Sequence, residues 1–230
     1  MKKEKIQQHY DWFYSEKKPQ GDILDPSLLN FLFTHLNGKK ILDVGCGEGK
    51  YMELLQKQGF ELVGIDISKI QVEKCKSKGL NAIIHDLHEK LPFEDNEFDD
   101  VIAFGVIEHL FNHHVFLKEL KRVTRPDGKI FLSTPNKLTG SRTKTEDEKF
   151  RHPNEFTYFQ LRRKLNKTFG NSHFFVKLKY NPNPKKWKLL KKIPDVLWKL
   201  ALLTYPNFLI ICEVKKLFDN GRCEHCGRML

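Results

Sequence analysis

The chain has 230 residues, 40% of them hydrophobic, and a formal net charge of +11. This size and apolar content suit one globular domain with a sizeable core and an insertion or short appendage. Five cysteines (Cys46, Cys75, Cys212, Cys223, Cys226) without framework-like spacing, and a polar Met1–Lys5 start with no apolar leader, point away from a secreted disulfide scaffold and toward a reducing cytoplasm.

Residues 1–38 are read as an N-terminal helical cap. Ile41 to Gly45 then reads as a buried strand ending on glycine, and Tyr51 to Gln58 as a helix closed by Gly59. Glu61 to Ile65 is a second strand; Ser68 caps a helix that runs to Lys78 and stops at Gly79. Further strands are expected at Ala82–Ile84, Asp100–Phe104 and Lys129–Ser133, with a helix from Val115 to Val123. Residues 137–154 are polar and loop-like, Glu155 to Phe169 suggests a helix, and His173–Tyr180 and Phe208–Val214 read as strands. Strands alternating with helices mean parallel pairing through crossover helices. Ligands of such sheets bind beyond the carboxyl ends of the strands, so functional residues are expected there.

The segment Asp43-Val44-Gly45-Cys46-Gly47-Glu48-Gly49 lies where a strand gives way to a helix. Alternate glycines allow a tight turn and close approach of the backbone to a ligand, and the helix start offers free N–H groups. A dinucleotide loop would need a glycine where Lys50 stands. The acidic-x-G-x-G-x-G pattern resembles motif I of class I S-adenosylmethionine-dependent methyltransferases, in particular the type 11/12 group that includes the ubiquinone-pathway O-methyltransferases.

That resemblance implies a Rossmann-like, doubly wound α/β fold. Its seven-stranded, mostly parallel sheet carries helices on both faces; this chain's own residues add a basic helical insertion before the last strand. It also implies S-adenosyl-L-methionine as cofactor and S-adenosyl-L-homocysteine as product. The cofactor residues it marks are Asp43, Gly45, Cys46, Gly47 and Gly49 in the loop, then Asp66 for the ribose hydroxyls with Ile67 on adenine. Asp86 and Leu87 follow at the adenine edge, and Phe104 and Gly105 at the methionine portion. Val106-Ile107-Glu108-His109-Leu110 and Ser133-Thr134-Pro135-Asn136 also match. Where some ubiquinone-pathway relatives have E-x-x-E-H, this chain has Gly105 in place of the first glutamate, and no metal is expected. Arg151-His152-Pro153-Asn154-Glu155-Phe156-Thr157 looks like the H-x-x-E-[FY]-[ST] segment on the family's substrate side, although Thr157 also suits a plain N-cap. His109, His152 and Glu155 are the candidate catalytic residues, a histidine being a suitable base for a hydroxyl acceptor.

Charge divides the chain. Residues 1–135 hold 19 Lys and Arg against 21 Asp and Glu, while residues 136–230 hold 21 against 8. A near-neutral catalytic half is therefore joined to a basic half suited to an anionic partner. The implied organisation is a core over 39–180, an amphipathic insertion over 181–206, a last strand over 207–216 and a tail over 217–230. The stretch 185–204 interleaves lysines with Trp187, Trp198 and leucines. A helix lying peripheral to a membrane, a lid, and a homodimer contact all fit it. The expected activity is methyl transfer, foremost O-methylation, to a small-molecule or lipid-linked acceptor. An RNA or protein methyltransferase using the basic half, and a non-catalytic binding module on the same fold, are the alternatives. Nucleic acid is disfavoured because no N-P-P-[YF] follows the fourth strand.

Overall fold

The computed structural model describes residues 26–138, 154–170, 172–176 and 207–214, together with Gln8, Asp11, Trp12 and Ser15. Chain order is α1 (Pro26–His35), β1 (Lys40–Val44), α2 (Lys50–Lys57), β2 (Glu61–Asp66), α3 (Lys69–Ser77), β3 (Ala82–Ile84) and β4 (Phe98–Phe104). A 3-10 turn (Ile107–His109), α4 (His113–Val123), β5 (Thr124–Pro135), α5 (Tyr158–Phe169), β6 (Ser172–Val176) and β7 (Asn207–Glu213) follow. The strands pair in the order β3-β2-β1-β4-β5-β7-β6. From β3 to β5 the pairing is parallel; β7 runs antiparallel to both of its neighbours. The mostly parallel α/β sheet expected from the alternating pattern is present. The amphipathic insertion 181–206 and the tail 217–230, with Cys223 and Cys226, lie outside the described residues.

Neighbouring residues of each central strand serve opposite faces, as the two-residue period requires. Leu42, Val44, Val101, Ala103, Ile130 and Leu132 pack with Phe116, Leu117 and Leu120 of α4 and Leu161 and Leu165 of α5. Ile41, Ile102 and Phe131 point the other way, against Leu32 of α1 and Leu55 of α2. Both faces are thus covered, which is why these strands read as unbroken apolar runs. Among the described residues no helix is long and apolar enough to cross a membrane.

Three of the boundaries that differ from the sequence reading have a visible local cause. α4 begins at His113 because Asn112 caps it, its side chain accepting the Val115 N–H. β5 reaches back to Thr124 through Arg125-Pro126-Asp127-Gly128. There Asp127 donates to the Val214 carbonyl (2.7 Å) and Val214 donates to Gly128 (3.0 Å), so pairing with the chain beyond β7 holds a stretch that local propensity marks as a turn. α5 starts at Tyr158 rather than Glu155: Phe156 bridges to Asn136, and Thr157 caps the helix in a reciprocal capping box with Gln160. Replacing Thr157 by Ala is expected to lower stability by about 1 kcal/mol. Thermal melts should show this as a Tm loss of roughly 3 °C.

Candidate functional site

Strand order reverses between β1 and β4, which pair side by side while their connections depart in opposite directions. A crevice at the carboxyl ends of such strands is the usual ligand position. Register brings the marked residues to that edge: Val44 lies beside Ile65, Asp66 beside Ile84, and Phe104 beside Ser133.

The glycine turn is built by backbone hydrogen bonds. Gly45 and Cys46 both donate to the Ile65 carbonyl (2.7 and 3.1 Å), Gly49 donates to Cys46 (3.0 Å), and Glu53 donates to Gly49 (2.8 Å) where α2 begins. Gly47 and Gly49 both have positive φ, 54° and 77°, but for different surroundings. A Cβ on Gly49 would come within 2.5 Å of Leu80 and 2.9 Å of Cys75 Sγ, whereas one on Gly47 would meet no atom of the described residues within 4 Å. Gly49 is pressed into the core; Gly47 borders open space. Cys75 Sγ donates to the Gly47 carbonyl at 3.1 Å, pinning the turn from α3.

Three buried carboxylates lie at or just past the ends of β1, β2 and β3. Asp43 is 3% exposed, and its Oδ2 is buried with no hydrogen-bond partner among the described residues. Burial, then the nearby Asp66, raises the Asp43 pKa to about 7. Asp66 accepts the Gly47 N–H on Oδ2 and the Ser68 N–H on Oδ1, both at 2.9 Å. The Ile67 N–H also bonds this carboxylate, so of its roughly four acceptor sites about one is left for a ligand hydroxyl. Burial lifts its pKa while those N–H groups oppose the rise. Asp86, also buried, accepts the His88 N–H at 3.0 Å and faces His88 Nδ1 at 2.8 Å. Ile67 and Leu87 are half-buried beside these acids. Half-buried Phe104 meets Tyr51 edge-on at 5.5 Å, and exposed Gly105 donates to the Ser133 carbonyl at 3.0 Å.

Two of the candidate catalytic residues, His109 and Glu155, are brought into the same neighbourhood. His109 is half-buried on the 3-10 turn just past Gly105. Glu108 beside it is 2% exposed and accepts the Thr134 hydroxyl at 2.9 Å, locking the turn onto the end of β5. Asn154 donates its N–H to the Glu108 carbonyl (3.2 Å) and its side-chain amide to Leu110 (2.9 Å), bringing half-buried Glu155 alongside. His152 lies outside the described residues.

Several of these partners escape a sequence reading. Ser68, the α3 cap, donates its hydroxyl to Asp11 at 2.6 Å, a contact across 57 positions with no local signature. The pairing of Thr134 with Glu108 is equally long-range. His88, two residues past Asp86, offers at least a D-x-H spacing.

The buried acceptor on Asp43 and the open side of Gly47 suit a ligand with a cationic group, and the remaining acceptor capacity of Asp66 suits a ligand hydroxyl. S-adenosylmethionine carries both features.

Residues 42–132 match the family described as "Methyltransferase domain". A probable S-adenosylmethionine-dependent methyltransferase of Mycolicibacterium smegmatis is 35% identical over 105 residues, covering 45% of this chain and 41% of that protein. A ubiquinone biosynthesis O-methyltransferase of Pasteurella multocida is 30% identical over 158 residues, covering 57% and 65%. The chain therefore spans less than two thirds of the length of these relatives. Among solved structures, a putative methyltransferase in complex with the Trm112 activator from Haloferax volcanii superposes with a TM-score of 0.67 at 15% identity, covering 90% of this chain and 98% of that one. A SAM-dependent methyltransferase from Archaeoglobus fulgidus gives 0.62 at 19% identity, covering 87% and 98%. At those identities the likeness is one of fold.

Proposed function

We propose that the chain, whose residues 42–132 match the methyltransferase-domain family, transfers a methyl group from S-adenosylmethionine to a small-molecule or lipid-linked acceptor, as an O-methyltransferase. The observation that carries this reading is the Oδ2 of Asp43 at the glycine turn, buried and without a partner among the described residues. An acceptor atom without a donor inside a protein is costly, and a bound ammonium relieves it.

When bound, the cofactor supplies an electrophilic methyl on a sulfonium. The chain's own part is to bind and align. Asp43 holds the ammonium of the methionine portion, Asp66 a ribose hydroxyl, and Asp86 the adenine edge, with Ile67 and Leu87 covering the ring. Alignment of the acceptor with the methyl contributes about 7–11 kcal/mol toward the barrier. Positive charge leaves the sulfonium during transfer, so the three acids act on binding rather than on turnover. His109 is proposed to take the proton from the acceptor hydroxyl, with Glu155 and His152 on the acceptor side. The enzyme is proposed to work in the cytoplasm, at the membrane periphery if the 185–204 stretch binds lipid.

Calorimetric titration with S-adenosylmethionine tests the foundation: one-site binding is expected, and absence of binding to folded protein ends the reading. For the base, His109→Asn is expected to lower kcat by about a hundredfold. Cofactor affinity should stay unchanged. A parallel fall in affinity would move His109 into the binding pocket instead.

A further inference from the structure

We propose that a second cavity, beside the cofactor crevice, seats a phosphate group carried by the methyl acceptor, with Lys137 and Lys164 as its cationic walls. This rests on the methyltransferase reading and adds the substrate class to it. The cavity has a volume of about 400 Å³ and lies between the first turn of α4, the end of β5 and the start of α5. Its wall at Asn154 is clamped to Glu108 and Leu110, flanking His109 on the turn that leads from Gly105. A ligand anchored there therefore lies beside the methyl-transfer end of the crevice.

Charge identifies the occupant. Among the described residues, neither the Lys137 nor the Lys164 ammonium has a carboxylate partner, and both side chains line this one cavity. Lys164 Nζ instead stands 5.7 Å from the Phe156 ring centre. The Lys137 backbone N–H donates to the Phe156 carbonyl at 3.0 Å, which anchors the Lys137 main chain at the same residue. α5 adds Arg162, Arg163 and Lys167 and has no acidic residue, so the cavity sits in a positive field that Glu155 only partly offsets.

The third wall is His113, 8% exposed, ring edge toward Phe156 at 4.8 Å, its Nε2 buried without a partner among the described residues. Burial, then the Lys164 charge, holds it neutral with a pKa of about 4. Two cations and a neutral imidazole arriving from different walls suit a tetrahedral dianion better than a planar carboxylate, and lysine serves phosphate as a point charge. The cavity is several times larger than a phosphate group, leaving room for the chain that carries it.

The test is calorimetry of the full chain with inorganic pyrophosphate, in the wild type, in Lys137→Ala/Lys164→Ala, and in Arg163→Ala. The last removes a charge from α5 outside the cavity. The double variant is expected to bind pyrophosphate at least roughly tenfold more weakly, and Arg163→Ala within about twofold of wild type. All three should keep S-adenosylmethionine affinity, which also reports that they fold. Equal losses in both variants, or no pyrophosphate binding to the wild type, overturn the phosphate seat. Loss of cofactor binding in the wild type with pyrophosphate binding intact would sink the methyltransferase reading alone. Co-sedimentation with phosphatidylcholine vesicles containing phosphatidic acid then separates the sources. Sensitivity to the two lysines marks a lipid phosphate, and insensitivity a soluble one.

Discussion

Asp43→Asn is expected to weaken S-adenosylmethionine binding by about a thousandfold while making the cofactor-free protein more stable above neutral pH. The two effects share one cause. In the free protein Asp43 is buried, sits near Asp66 and lacks a donor on Oδ2 among the described residues, so its pKa stands at about 7 instead of 3.8. A carboxyl whose folded pKa lies above its unfolded value holds a proton the unfolded chain has already released. The wild-type fold is therefore penalised progressively as pH rises from about 4 to 7, after which the penalty levels off. An Asn side chain carries no charge to bury. Its advantage should be absent below pH 4, grow through neutrality and then stay constant, which thermal melts across that range would display.

Binding runs the opposite way. A cationic ligand selects ionised Asp43, so wild-type affinity should climb with pH up to about 7 and then flatten, while the Asn variant shows no such slope. Removing one partner of a desolvated charge pair costs about 4 kcal/mol, the origin of the thousandfold figure. A variant that loses stability at pH 8, or keeps full affinity, would show that Asp43 serves the fold and not the cofactor.

How much of this was legible beforehand depends on the range of the interactions. The β1–turn–α2 unit declares itself through an apolar run, spaced glycines and a helical period, and Ser68 and Gly79 bracket α3 by local chemistry alone. The strand-tip acids could be placed because a parallel sheet delivers its strand ends to one edge. What stayed hidden is long-range. Nothing near Asp11 announces that it will accept a hydrogen bond from Ser68, nothing in Thr134 points to Glu108, and Arg125 to Gly128 reads as a turn until Val214 pairs with it. The phosphate cavity is of the same kind. Lys137 and Lys164 lie 27 positions apart and share a wall only because Phe156 bridges back to Asn136.

Gly47→Ala and Gly49→Ala should separate binding from folding within one loop. Both positions require φ in the left-handed region, 54° and 77°, so each substitution carries backbone strain of about 1 kcal/mol. At Gly49 the added methyl also strikes Leu80 at 2.5 Å and Cys75 Sγ at 2.9 Å, inside the cluster that joins α2 and α3 to the sheet. Overpacking of that kind adds about 1–3 kcal/mol, so Gly49→Ala should lose several degrees in Tm, with cofactor binding failing as the loop shifts. At Gly47 the methyl meets no atom of the described residues within 4 Å. Gly47→Ala should therefore melt close to the wild type, yet bind S-adenosylmethionine too weakly to detect at millimolar concentration, because the space it enters is the ligand's. Chemical denaturation and calorimetry on the two proteins decide the matter. If Gly47→Ala binds normally, the open side of the turn is solvent and the cofactor lies elsewhere.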